Sequence, residues 1–93
     1  MTILKSKRYL ATLRGRREEE LRDVAVAMQA AAATFGQPHL HTGRGIRELR
    51  PGLYECRSGL DLRLLFVRSG TNLLFVFAGN HDQVRAYLRN RKE

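Results

Sequence analysis

The sequence predicts an α+β fold: an N-terminal strand and helical hairpin packed on an antiparallel sheet of about four strands, closed by a short C-terminal helix. Three observations carry this. Apolar residues recur at steps of three and four from position 21 to 35, and the pattern then changes to short extended runs between turn residues from 46 to 78. Beyond Asn80 the helical spacing returns.

Thr2 to Lys5 is a short extended start, and Ser6 is placed to cap a helix whose Tyr9, Leu10 and Leu13 share one side. Gly15 interrupts. Glu18, Glu19 and Glu20 then open a second helix, where negative charge favours the positive end of the helix dipole. Its apolar stripe of Leu21, Val24, Ala25, Met28, Ala32 and Phe35 is read as the side facing the core, and Gly36 with Pro38 ends the run. A loop from Gln37 to Gly43 follows.

The runs Ile46 to Arg50, Leu53 to Ser58, Asp61 to Val67 and Leu73 to Ala78 are separated by Pro51-Gly52, Gly59 and the Ser69 to Asn72 turn, which reads as an antiparallel meander. Leu73 to Ala78 is apolar throughout, as suits a strand covered on both faces. Strand alternation places Cys56 on one face with Tyr54 and Ser58, in a buried apolar role. Asn80 caps a final helix with Val84, Tyr87 and Leu88 facing inward.

Ninety-three residues are room for one domain, 1–93. No run of about 18 apolar residues could span a bilayer, and the N-terminus lacks the pattern of a secretory signal. A cytoplasmic protein is expected. A formal charge of +8, with only Lys5, Lys7 and Lys92 as lysines among 17 basic residues, favours planar contact with phosphate, and so nucleic acid or a ribonucleoprotein.

Three segments are more specific: Leu49-Arg50-Pro51-Gly52-Leu53-Tyr54-Glu55-Cys56-Arg57, Asp61-Leu62-Arg63-Leu64-Leu65-Phe66, and Ala78-Gly79-Asn80-His81-Asp82. In this order and spacing, over residues 46 to 88, the sequence resembles the RelE/ParE toxin superfamily. The resemblance implies a toxin of a toxin-antitoxin system: an endoribonuclease that cuts messenger RNA on the ribosome, leaving a 2′,3′-cyclic phosphate, with no metal or other cofactor. The partners it implies are a cognate antitoxin, the message and the ribosome.

That chemistry needs a base, an acid and a cation at the phosphate. By resemblance Arg63 is the cation; the alternative is a surface Arg paired with Asp61 or Glu55. His81 matches the proton-transfer His after the last strand, the alternative being a cap or brace for the last helix. Glu48 and Glu55 are the candidate bases, and His41, in a loop where some members supply another catalytic His, is a further catalytic candidate. A carboxylate could instead pair with Arg50 or Arg57, and His39 and His41 could be solvated loop residues. Arg44, Arg47, Arg50, Arg57 and Arg85 are candidate RNA contacts. Tyr87 could stack on a base, but its spacing from Val84 and Leu88 favours the core.

The His and Cys spacing matches no structural zinc module, and Gly43-Arg44-Gly45 lacks the residues that complete a phosphate loop. A gyrase-inhibiting toxin or a non-catalytic RNA-binding member of the same fold would share these patterns.

Overall fold

The computed structural model describes residues 1–37 and 45–90. Five strands, β1 (Thr2–Lys5), β2 (Arg47–Arg50), β3 (Leu53–Ser58), β4 (Leu62–Ser69) and β5 (Asn72–Gly79), form one sheet in the order β1-β5-β4-β3-β2. Helices α1 (Lys7–Thr12) and α2 (Glu18–Thr34) precede the meander, and α3 (His81–Asn90) follows it.

The expected antiparallel meander is present, with tight turns at Gly52 and Gly70, both in the left-handed region that glycine adopts without a steric penalty. The N-terminal strand joins the sheet as a fifth, parallel strand, pairing Thr2 with Asn72 through Lys5 with Phe75. Where β1 ends, α1 takes over its edge. Ser6 caps α1 by accepting from the Tyr9 N–H at 3.0 Å, and the Thr12 hydroxyl accepts from the Ala78 N–H at 3.1 Å. A ladder position that β1 is too short to fill is thus satisfied by a side chain.

The larger core lies between the sheet and α1 and α2. Leu64, Phe66, Leu73 and Phe75 meet Tyr9, Val24 and Met28 there, and the Tyr9 hydroxyl donates to Met28 Sδ at 3.1 Å. Cys56 is buried on this face, as alternation requires. The stripe on α2 differs from the one expected: Val24, Met28, Ala31 and Ala32 are buried, whereas Leu21 and Ala25 are exposed. Short alanines let α2 approach the sheet closely, which rotates its contact line toward Ala31 and away from Leu21.

The helices also do not all share one side. A second, smaller cluster of Leu53, Leu65 and Val84, flanked by Leu49, Val67, Phe77, Tyr87 and Leu88, seats α3 on the opposite face. The part of that face left uncovered by α3 carries the charged residues described next.

Candidate active site

Register decides which charged side chains meet. Glu55 stands opposite Arg47 on β2 and Leu65 on β4, and Arg57 stands opposite Arg63. Partners in register share a face, as do residues two apart on a strand. Arg47, Glu55, Arg57 and Arg63 therefore lie together on the α3 face.

Glu55 is buried, its side chain only 3% exposed, and each carboxylate oxygen meets a different arginine. Arg63 Nη1 lies 3.3 Å from Oε1, and Arg47 Nη2 lies 3.5 Å from Oε2. The arginines differ in exposure: the Arg63 side chain is 17% exposed and that of Arg47 64%. Arg57 is exposed beside them. The alternative reading that pairs Arg63 with Glu55 is thus met in the geometry, and the second arginine on Glu55 is Arg47, not Arg50 or Arg57, which were offered as alternative partners for a carboxylate.

Arg63 also lines a pocket of about 310 Å³ with Leu60, Asp61, Asn80, His81 and Asp82. His81 is the first residue of α3 but does not cap it. Asn80 does: its Oδ1 accepts from the Gln83 N–H at 2.8 Å, and Gln83 Oε1 accepts from the Asn80 N–H at 2.8 Å. The His81 imidazole is exposed, and the role of helix cap belongs to its neighbour. Gly79 allows the close fit, since a Cβ there would lie 2.9 Å from the Gln83 Cβ. Arg85, one turn beyond His81 on the same side of α3, is exposed.

Other expected residues are placed elsewhere. Glu48 pairs in register with Tyr54, on the opposite face from Glu55, and its carboxylate accepts from the Gly52 N–H at 3.0 Å. Burial, and after it the charge and hydrogen bond of Glu48, raise the pKa of Tyr54. Glu48 thus serves the β2–β3 turn, apart from Arg63 and His81. Arg50 donates from Nη2 to the Leu88 carbonyl at 2.7 Å, holding the last turn of α3 against β2; it anchors the helix instead of lining the open face. Tyr87 stacks on Phe77 with ring centroids 4.6 Å apart, the Arg8 guanidinium 5.0 Å from its centroid. His39, His41 and Arg44 lie outside the described residues.

Two features escaped the sequence reading. Asp82 lines the pocket of Arg63 and His81, together with Asp61, which the sequence offered only as a partner of Arg63. Asn80 and Gln83 form a reciprocal cap, for which the three-residue spacing of an amide pair before a helix was the available signal. The face as a whole sets cations about the buried Glu55 carboxylate and an exposed imidazole in the adjoining pocket of Arg63, an arrangement suited to binding an anion and moving a proton.

No protein-family profile and no curated protein matches the sequence. Among solved structures the chain is similar to YafQ from E. coli strain BL21(DE3), at 13% identity and a TM-score of 0.67, covering 88% of this chain and 94% of that one. It is likewise similar to the RelB-RelE antitoxin-toxin complex from Methanococcus jannaschii, at 13% identity and a TM-score of 0.68, covering 90% and 96%. A copper-bound mutant toxin from Helicobacter pylori matches at 15% identity and a TM-score of 0.61, covering 90% and 98%.

Proposed function

We propose that this chain, which has the RelE-like fold, is the toxin of a toxin-antitoxin pair, an endoribonuclease of the RelE/ParE superfamily that cleaves messenger RNA at the ribosome by metal-independent acid-base chemistry and so stops translation. The observation that carries this reading is that Arg63 and His81, distant in sequence, line one solvent-open pocket on the face that α1 and α2 leave free.

In this reading the Arg63 guanidinium holds the scissile phosphate. Of the bases weighed from sequence, Glu55 is the described residue that shares its face, and it takes the proton of the 2′-hydroxyl. The 2′-oxygen forms a bond to phosphorus as the bond to the 5′-oxygen breaks. His81 gives its proton to the departing 5′-oxygen, so the products are a 2′,3′-cyclic phosphate and a 5′-hydroxyl. Arg57, Arg85 and Arg47 extend the cationic surface along which flanking phosphates lie, and Arg44 is proposed to add to it.

The partner is an antitoxin, proposed here by extension from the Methanococcus jannaschii structure, which is by its name an antitoxin-toxin complex. An acidic segment would complement the +8 chain. Message, ribosome and antitoxin place the protein in the cytoplasm.

The test is to add the purified chain to a translation extract and map cuts in the message by primer extension, with a DNA-supercoiling assay alongside. Cuts in translated message support the reading. Blocked supercoiling with intact message replaces it with a gyrase-inhibiting toxin of the same fold.

A further inference from the structure

We infer that Arg47 and Arg63 form a two-arginine clamp for a phosphate, occupied in the free protein by the Glu55 carboxylate, so that an entering phosphate must displace a buried internal competitor. The inference rests on the reading of Arg63 as a phosphate contact and extends it to a second cation and to the state of the empty site.

Two guanidiniums converge on one anionic group, each taking one of its two oxygens. A carboxylate and a phosphate offer arginine the same recognition: paired anionic oxygens at hydrogen-bonding separation. Groups that converge on the first can converge on the second after a small side-chain movement. Both contacts, at 3.3 and 3.5 Å, exceed the roughly 2.7–2.9 Å of a strong charge-assisted bond, so Glu55 holds the arginines less tightly than a well-oriented partner could.

Charge balance points the same way. Arg57 lies directly opposite Arg63, and like charges in that position are unfavourable across a ladder. Glu55 meets two of the three guanidiniums that share its face, and Asp61 and Asp82 line the pocket beside Arg63, so the surplus of positive charge lies on the side of Arg47 and Arg57. An added anion would relieve the surplus and free Glu55, whose oxygens are engaged until the arginines move. The same exchange that binds the phosphate would thus release the base.

The experiment measures anion binding, without cleavage. Inorganic phosphate is titrated into the protein at constant ionic strength, and the Nε–H signals of the arginine side chains are followed by nuclear magnetic resonance. Glu55→Gln removes the charge of the internal competitor and should bind phosphate about tenfold more tightly than wild type, the equivalent of one charge-assisted bond no longer broken on entry. Arg47→Ala and Arg63→Lys should bind more weakly. Phosphate affinity equal to or below wild type in a folded Glu55→Gln overturns the inference. Should that variant fail to fold, Glu55→Asp draws the carboxylate back by one methylene and should tighten binding in the same direction; unchanged or weaker binding is again contrary. A wild type that cuts no message yet shows this ordering would remove the nuclease reading and leave the clamp. A wild type that cuts message without the ordering would do the reverse.

Discussion

Asn80 and Gln83 close the start of α3 on each other, side chain to backbone in both directions at 2.8 Å, and so leave His81 between them with its imidazole exposed. Capping thereby belongs to Asn80 and Gln83, and proton transfer is the role proposed for His81. Gln83→Ala should lower stability by about 1 kcal/mol, as loss of one half of a helix cap does, and should reduce cleavage as well by loosening the turn that carries His81. Gly79→Ala presses a methyl group onto Gln83 and should cost about 1–3 kcal/mol. Thermal denaturation and single-turnover cleavage of both variants check the link; a stability loss with cleavage untouched would separate the cap from the chemistry.

His81→Ala and substitutions of Arg63 should behave differently in stability, although both residues line the pocket. His81 is exposed, so its loss should leave the melting temperature unchanged. Arg63 is tied to buried Glu55, and Arg63→Ala should cost about 3 kcal/mol, the low end for breaking a buried pair, because Arg47 still holds the other oxygen. Arg63→Lys keeps the charge and is the better probe of chemistry, since an ammonium cannot grip two oxygens in one plane.

Arginines assigned to RNA should separate into two groups. Arg50→Ala should destabilise the protein by about 1–2 kcal/mol through the lost bond to the Leu88 carbonyl, with little change in the salt dependence of RNA binding. Arg57→Ala and Arg85→Ala should keep stability within about 0.5 kcal/mol and each reduce the salt slope of binding by about one. Chemical denaturation together with binding measured at several salt concentrations makes the comparison. A salt slope that falls for Arg50→Ala and stays for Arg57→Ala would reverse the assignment.

Cys56 should be inert in the native protein. Burial, with a smaller contribution from the Glu55 charge, pushes its thiol up to about 12, so the reactive thiolate is scarce at pH 8. A disulfide-exchange reagent should label it only in denaturant. Rapid stoichiometric labelling of folded protein would show that the core over Cys56 opens.

Local chemistry was legible in the sequence; geometry set by register and packing was not. Ser6 and Asn80 announced their helices because capping uses short-range bonds, and alternation put Cys56 on the face of Tyr54, where both pack in the larger core. The face shared by Arg63 and Glu55 depends on how β3 and β4 pair, so the sequence offered their pairing only as an alternative, and Arg47, brought opposite Glu55 by β2, was missed as its second partner. Arg50 reaches Leu88, 38 positions away, because α3 crosses the sheet toward β2, a direction no spacing encodes. The parallel edge position of β1 was missed for the same reason: nothing in Thr2–Lys5 distinguishes a strand beside the sheet from a strand within it.

The central claim is tested most directly by the 3′ end left on a translated message and by its dependence on His81. Message cut in a translation extract by the wild type should carry a 2′,3′-cyclic phosphate. His81→Ala, folded and still binding antitoxin, should produce it about 10²- to 10⁴-fold more slowly, the usual cost of losing a positioned proton-transfer group. Uncut message, a 3′-hydroxyl at the cut, or cleavage by His81→Ala at the wild-type rate would contradict the account.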